Sequence, residues 1–371
     1  MPSALFSPLS LRELTLANRI VVSPMCQYSA KDGNAGDWHL MHLGNLSVSG
    51  PGLMMVEATA VDPRGRITYG DLGLYSDDNE AALSRIVGFC REYGGSRLGI
   101  QLAHAGRKAS DHLPWEEHGR PLAPEEGAWT TVGPSEISYG DAWPRPQALE
   151  AAGLQAVRQA FVRATRRAAR LDFDLVELHA AHGYLLHEFL SPLSNSRRDG
   201  YGGSRENRLR FPLEVFEAMR EAWPANKPLG VRISATDYAD GGWDIDDSLA
   251  FSRELKDRGC DFIDVSGGGL VPHQRLAMGP GYQVPFAARI RQEVGIATMT
   301  VGMINRPQQA EEIITRGQAD LVALARGMLY DPRWTWHAAE ELWADLEYPP
   351  QYRRCQPSRW PQAFPHRQAV E

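Results

Sequence analysis

The sequence is poor in cysteine, and this scarcity excludes several kinds of site. Only four cysteines occur among 371 residues, Cys26, Cys90, Cys260 and Cys355, and no C-x-x-C pair is present. That spacing argues against a zinc ribbon and against an iron–sulfur cluster. Widely scattered thiols fit a reducing compartment, so we expect a cytoplasmic protein.

Clusters of basic residues and long apolar runs are absent as well. The formal net charge is −7 and no Lys/Arg cluster stands out, so neither nucleic acid nor an anionic membrane is an expected partner. No apolar run reaches the ~20 residues of a transmembrane helix. The first residues lack the basic and apolar regions of a signal peptide.

Eight short runs rich in Val, Ile and Leu alternate with segments of helical periodicity. Such runs are typical of strands buried on both faces, and their alternation with helices implies parallel pairing. A doubly wound sheet is the competing fold, but no G-x-G-x-x-G follows the first run. We therefore predict an α/β protein with one domain over residues 1–371, a closed (β/α)₈ (TIM) barrel. The predicted strands are 19–23, 53–58, 98–102, a fourth starting at 175, 229–233, 262–266, 298–301 and 321–325.

Two further segments lie outside this alternation. Residues 9–16 alternate loosely and predict an N-terminal hairpin ahead of the barrel. Residues 110–146 follow the third strand, are rich in Pro, Gly, Trp and acidic residues, and have no clear period. A loop of this length is usually functional. We expect it to lie over the site, with a small hairpin near residues 130–138.

The stretch LVELHAAHGY, residues 175–184, carries the candidate chemistry. Its alternation predicts a strand that ends before Gly183, so His179, His182 and Tyr184 would lie at the barrel rim where active sites are built. Two imidazoles can donate hydrogen bonds to one oxygen, and a phenol with a pKa near ~10 can supply a proton. The pair could also hold zinc in a metal-dependent hydrolase, although no third ligand stands at a recognisable spacing.

Residues at other strand ends point to a flavin. Gly302 after the seventh strand and Arg326 after the eighth occupy the recurrent phosphate site of this fold. Gln101 could bond the pyrimidine edge of a flavin, and Arg232 could neutralise charge at its N1/C2 carbonyl. The alternative for the last two residues is an internal hydrogen bond and a salt bridge inside the barrel.

Several longer motifs carry a resemblance that covers nearly the whole chain. The sequence resembles the Old Yellow Enzyme family of FMN-dependent ene-reductases, in the branch described as xenobiotic reductase A-like or thermophilic-like. The motifs are SPMCQY, VEATAV, IQLAHAGRKAS, ELHAAHGYLLHEFLSPLSNSRRDGYGGSRENR, VRIS, VGMI and ALARGMLYDP.

The resemblance implies an activity and its cofactors. It implies an NADPH dehydrogenase or ene-reductase with non-covalent FMN, reduced by NADPH or NADH, that acts on small activated alkenes. The C=C bond of an α,β-unsaturated carbonyl compound would receive a hydride from flavin N5 and a proton from a tyrosine. The resemblance also implies a homodimer or a homotetramer, and no metal.

The same resemblance assigns roles to individual residues. Tyr184 would be the proton donor, and His179 and His182 would hold the substrate carbonyl with help from Tyr28. Cys26 would tune the flavin potential. The residues expected to contact FMN are Ser23, Pro24, Met25, Cys26, Ala58, Gln101, Arg232, Gly302, Ala325 and Arg326.

The C-terminal tail, about residues 345–371, is expected to reach a neighbouring subunit and to present Arg354 to its substrate site. The chain departs from the family pattern at three places. Ala325 replaces a glycine before the phosphate arginine, Val301 replaces a tryptophan of xenobiotic reductase A, and the tail beyond Arg354 does not match well.

Besides the metal-dependent hydrolase, two other functions compete with the ene-reductase. A flavin barrel of the dienoyl-CoA reductase kind would carry an iron–sulfur cysteine cluster and extra domains, and this chain has neither. A non-catalytic binding barrel would gain nothing from polar groups that converge at eight strand ends.

Overall fold

A computed structural model describes residues 2–362 and shows a closed barrel of eight parallel strands. The predicted fold, including the N-terminal hairpin, is confirmed. The order around the barrel follows the chain, and the last strand pairs with the first through Val322 and Ile20. The strands are the hairpin β1 (Leu9–Leu11) and β2 (Leu14–Leu16), the barrel strands β3 (Ile20–Val22), β4 (Leu53–Ala60) and β5 (Arg97–Ala103), two loop strands β6 (Val132–Gly133) and β7 (Gln147–Ala148), and the barrel strands β8 (Leu175–Ala180), β9 (Leu229–Ser234), β10 (Phe262–Ser266), β11 (Ala297–Thr300) and β12 (Leu321–Leu324).

Helices follow the barrel strands and cover the outside of the barrel. Three of them were not predicted: the helix between β3 and β4, the short helix directly after β8 and the short helix directly after β12. None of the helices within residues 2–362 is both long and apolar enough to cross a bilayer. The helices are α1 (Asp37–Ser47), α2 (Asp77–Tyr93), α3 (Ala151–Arg170), α4 (Leu185–Leu190), α5 (Arg205–Ala222), α6 (Ile245–Asp257), α7 (Val284–Val294), α8 (Pro307–Thr315), α9 (Arg326–Tyr330) and α10 (Trp334–Glu341).

The apolar core has two layers because successive side chains of a strand point to opposite faces. On β12, Leu321 and Ala323 belong to the cluster inside the barrel, whereas Val322 and Leu324 belong to the cluster under the helices. Leucines of the β1–β2 hairpin pack into the inner cluster and close the N-terminal end of the barrel. The inside is therefore filled at that end, and polar chemistry is confined to the carboxyl ends of the strands.

The long loop after β5 is more ordered than the sequence suggested. The hairpin expected near residues 130–138 is wrong, because β6 pairs in parallel with β7 and Val132 lies opposite Gln147. Buried Arg107 ties the later part of this loop to the barrel. Its guanidinium donates to the carbonyls of Ile137 at 3.1 Å, Ser138 at 3.2 Å and Leu270 at 2.7 Å.

Candidate active site

The strand ends bring the two predicted histidines and the tyrosine together beyond β8. The ring atoms His179 Nε2 and His182 Nδ1 are 3.2 Å apart. The rings of His179 and Tyr184 are 5.1 Å apart between centroids. The three side chains thus form one compact group, as their spacing at a strand end predicts.

Burial sets the protonation states in this group. The pKa of both histidines is lowered well below the ordinary value, first by burial and then by the charge of Arg232. Both rings are therefore neutral at neutral pH. Burial raises the pKa of Tyr184 well above its ordinary value, so its hydroxyl keeps its proton and can donate it.

The turn that carries these side chains is held by a buried Asp–His pair. His182 and Gly183 have φ angles of 58° and 75°, and a Cβ on Gly183 would lie 2.2 Å from the carbonyl oxygen of Gly269. Gly183 N–H donates to Nδ1 of His187 at 2.9 Å, and Nε2 of His187 lies 2.9 Å from Asp237. A glycine is required here, and the pair fixes its peptide.

Lys108 belongs to the same group, although the sequence analysis assigned it no role. Its Nζ donates to the carbonyls of His182 at 2.9 Å and Gly269 at 3.0 Å. It also lies 5.0 Å from the ring centroid of Tyr184. Burial lowers the pKa of Lys108 to about 8, with a further contribution from Arg107. The only signal for Lys108 was its position in the HAGRKAS motif after the third strand.

The loop after β3 brings Cys26 and Tyr28 to the same rim. Burial raises the pKa of the Cys26 thiol well above its usual range, so the group stays protonated. Tyr28 has a φ of 49°, and its ring meets Trp115 edge-on at 6.1 Å. The hydroxyl oxygen of Ser23 is buried without a hydrogen-bond partner. Such an unpaired group is expected where a ligand completes the site.

Below the rim, Gln101 and Arg232 each contact the carboxyl group of a buried acidic residue. Gln101 Nε2 donates to Glu177 Oε1 at 2.7 Å, and Arg232 Nε lies 3.1 Å from Asp264. The internal hydrogen bond and the barrel salt bridge are thus both present. Each uses one nitrogen, so the amide oxygen of Gln101 and the terminal nitrogens of Arg232 are the atoms that can face a ligand. Ala58 lies beside Gln101 in the β4–β5 register.

A cavity of about 620 Å³ opens beside Arg232 at the ends of β11 and β12. It contains four of the predicted cofactor residues, Arg232, Gly302, Ala325 and Arg326. Its lining also includes polar side chains that the sequence did not point to, among them Ser266, Tyr282 and Gln283.

The cavity fits a phosphate and a sugar-like chain. Gly302 has a φ of 130°, and a Cβ there would come within 3.0 Å of the Gln283 amide nitrogen. The position therefore favours glycine, which leaves its backbone open to a ligand. Helix α9 begins at Arg326, and the first N–H groups of a helix have no carbonyl partner within it. Arginine, peptide N–H and hydroxyl groups are the donors that phosphate and polyol oxygens need. The donor set matches FMN.

Arg354 and Trp360 are not brought to this site. Arg354 is exposed in the 3₁₀ segment Pro350–Cys355, and Trp360 is exposed after it. The segment is anchored through Tyr352, whose ring lies 5.7 Å from that of Trp336 in α10. The rest of the predicted tail, residues 363–371, lies outside the described residues.

The zinc hypothesis receives no support from the described part of the chain. Within residues 2–362, no group of three or more His, Cys, Asp or Glu side chains is placed to hold a metal ion. The facing nitrogens of His179 and His182 are engaged with each other.

Comparison with known proteins identifies the family. A family model described as NADH:flavin oxidoreductase / NADH oxidase matches residues 4–345. The chain belongs to this family. The resemblance to the Old Yellow Enzyme family is thereby confirmed. This member is an oxidoreductase that uses FMN as its cofactor and a nicotinamide dinucleotide as its reductant.

Similar proteins cover the same extent of chain. The NADPH dehydrogenase of Geobacillus thermodenitrificans is 46% identical over 356 residues, which are 95% of this chain and 99% of that protein. The NADPH dehydrogenase of Bacillus subtilis is 44% identical over the same shares. Among solved structures, morphinone reductase superposes with a TM-score of 0.76 at 27% identity, and the match covers 95% of this chain and 93% of that one.

Proposed function

We propose that the enzyme reduces the activated C=C bond of small α,β-unsaturated carbonyl compounds. One observation carries the proposal: two neutral histidines and a protonated tyrosine form a compact group next to a cavity whose donors fit FMN. When bound, FMN supplies the hydride chemistry, accepting a hydride from NAD(P)H and giving it to Cβ of the substrate. The name of the relatives, NADPH dehydrogenase, favours NADPH as the reductant.

FMN would be held at its phosphate and at its ring system. Arg326, Gly302 and Ala325 would bind its phosphate, and Arg232 would balance negative charge on the ring system. Gln101 would present its amide oxygen, because its nitrogen is bonded to Glu177. The remaining contacts would come from Ser23, Pro24, Met25, Cys26 and Ala58.

His179 and His182 would hold the carbonyl oxygen of the substrate, and Tyr28 would assist them. Negative charge grows on this oxygen as the β carbon is reduced, and one well-placed donor contributes on the order of 3 kcal/mol at such a point. Neutral rings suit this role because their N–H groups donate without transferring a proton to the oxygen. The oxygen is thereby oriented and its charge stabilised.

Tyr184 would deliver the proton to Cα. Its hydroxyl remains protonated at neutral pH. The ammonium group of Lys108, 5.0 Å from the ring centroid, would stabilise the tyrosinate that remains. Cys26 would adjust the flavin potential through its neutral thiol.

Two proposals concern the whole protein. We propose one folded domain whose C-terminal tail presents Arg354 to the site of a neighbouring subunit in a homodimer or homotetramer. The exposed position of Arg354 supports this arrangement. We also propose a cytoplasmic location, which fits the four scattered cysteines.

Absorbance spectroscopy tests the proposed function directly. The purified protein is recorded alone, after anaerobic NADPH, and after addition of 2-cyclohexenone. We expect flavin bands that bleach with NADPH and return with the enone. Bands that bleach but do not return with any of several enones would contradict the proposed acceptor.

A further inference from the structure

The two candidate histidines are the first members of an ordered chain of hydrogen bonds. Ala181 N–H donates to Nδ1 of His179 at 3.2 Å, so the neutral ring of His179 carries its hydrogen on Nε2. That atom faces Nδ1 of His182 at 3.2 Å. His179 is therefore the donor in this pair, and Nδ1 of His182 is the acceptor.

The hydrogen bonds at the Gln283 end of this series show the same donor-to-acceptor direction. Gln283 Nε2 donates to the carbonyl of Val301 at 2.9 Å, which leaves its amide oxygen as an acceptor. The Ser266 hydroxyl donates to this oxygen at 3.3 Å. Nε2 of His182 lies 2.7 Å from the Ser266 oxygen and must be the donor there. Both arguments place the hydrogen of His182 on Nε2.

This tautomer of His182 conflicts with the proposal that both histidines donate hydrogen bonds to the substrate carbonyl oxygen. Nε2 of His182 faces Ser266, so an oxygen gripped by both rings has to lie beside Nε2 of His179 and Nδ1 of His182. In this series of hydrogen bonds, Nδ1 of His182 carries no hydrogen and presents a lone pair to that position. A lone pair repels a carbonyl oxygen, and only His179 could donate.

We propose that Ser266 is a positioning residue that lets His182 change tautomer when a carbonyl substrate binds. The Ser266 hydroxyl turns from Gln283 to Nε2 of His182 and becomes the donor. His182 then carries its hydrogen on Nδ1, and both rings donate to the substrate oxygen. The inference rests on the proposed function, because it concerns the same carbonyl site.

The proton balance of this change is simple. The ring loses a hydrogen from Nε2 to water and gains one at Nδ1 from water while the site is open, so its charge stays zero. A hydroxyl suits the task because it has one donor hydrogen and two acceptor lone pairs, and its hydrogen rotates freely. Protonation of the ring as an alternative is opposed by the nearby cations Arg232 and Lys108, which lower the pKa of His182 after burial does.

A neighbouring serine provides a matched control. Ser234 ends β9 and lies opposite Ser266 in the β9–β10 register. Its hydroxyl accepts the backbone N–H of His182 at 2.9 Å and donates to Gly268. Both serines are buried and both touch His182, but only Ser266 touches the ring.

The test is ¹⁵N NMR of histidine-labelled, FMN-saturated oxidised enzyme with and without 2-cyclohexenone. Couplings between ring nitrogens and carbon-bound ring hydrogens report the tautomer, and a His182→Gln variant identifies the His182 signals. In the wild type we expect Nε2–H alone and Nδ1–H with the enone. Ser266→Ala should bind the enone about tenfold more weakly, because a buried acceptor loses its partner. Ser266→Thr should restore binding, and Ser234→Ala should still switch.

The outcomes separate this inference from the proposed function. An enone that perturbs His179 while His182 keeps Nε2–H would overturn the switch and leave the carbonyl site intact. Equal losses of enone affinity in Ser266→Ala and Ser234→Ala, with the switch retained in both, would also overturn it. An enone that perturbs neither histidine would instead contradict the proposed carbonyl site.

Discussion

The two ends of the site are built on opposite principles. At the β8 end, the rings of His179 and His182 are bonded to protein atoms, and the turn between them and Tyr184 is held by the His187–Asp237 pair. At the β11–β12 end, the structure leaves a cavity of about 620 Å³ lined by charged and polar donors such as Arg326.

Under the proposed function, the difference corresponds to two kinds of bound group. Transition-state charge lasts for an instant, and the groups that stabilise it must already be in position. A cofactor stays bound, and its own oxygens can complete the hydrogen bonds of the protein, which also stabilises the fold by mass action. Changes at the β8 end should therefore alter rates, and changes at the cavity should alter cofactor affinity and stability.

The largest expected effect comes from Tyr184→Phe at the β8 end. The ring and its packing are kept, but the proton for Cα is lost, so reoxidation by 2-cyclohexenone should slow by about 10² to 10⁴-fold. Reduction by NADPH should be unchanged, as stopped-flow absorbance would show for each half-reaction. Tyr139→Phe, whose ring also lies near Lys108, should leave both rates unaltered. Full enone turnover in Tyr184→Phe would remove the tyrosine from the mechanism.

At the cavity end, Arg326→Ala should weaken FMN binding without touching the β8 end. A lost charge-assisted contact to phosphate corresponds to roughly 10 to 100-fold in affinity. Quenching of FMN fluorescence on titration with apoprotein measures it. Arg316→Ala, at an exposed arginine paired with Glu312, is the matched control and should have no effect. Enone affinity that falls in FMN-saturated Arg326→Ala would show that the two ends are not independent.

A smaller effect should appear in the pH dependence of stability, from the buried carboxyl group of Glu177 beside Gln101. Burial, and then the charge of Asp264, raises the pKa of Glu177 from its ordinary 4.5 to about 8. Between these values the folded protein holds a proton that the unfolded chain has released, so stability falls as pH rises through this window. The contribution is at most ~1.4 kcal/mol for each pKa unit.

Urea unfolding of the apoprotein at pH 5.5 and pH 8 checks this expectation. Glu177→Gln removes the titration and keeps the oxygen that accepts from Gln101, so its stability should decline less with pH than that of the wild type. Glu188, whose pKa burial also raises to about 8, remains in both proteins and cancels in the comparison. Parallel profiles for the two proteins would contradict the raised pKa of Glu177.

Most of the barrel was predictable because its strands are continuous apolar runs, and such runs carry a strong pattern. Helix α1 was missed because its buried positions include His39, Gly44 and Ser47 as well as leucines, so no apolar stripe stands out. The β6–β7 pair was misjudged because two-residue strands have no periodicity, and the pairing joins residues 15 positions apart, as Val132 and Gln147 show.

The predicted site residues follow from the rule that strand ends converge, and Arg354 follows only from the resemblance. Ser266 and Gln283 escaped notice for a physical reason. Ser266 is the last residue of β10 and is a small residue in an otherwise ordinary buried strand, while Gln283 stands before α7, far along the chain. The direction of a hydrogen-bond chain depends on distances between such residues, and sequence spacing does not contain them.

The hydrogen bonds of buried Arg107 have a consequence for directed evolution. Because they fasten residues 137 and 138 to the barrel, the second half of the long loop is part of the scaffold. The first half carries Trp115, which is 65% exposed and forms an edge contact with Tyr28, a proposed substrate residue. Libraries that diversify the mostly exposed residues 114–117 should therefore alter the surface beside Tyr28, whereas substitution of Arg107 should destabilise the loop that it fastens.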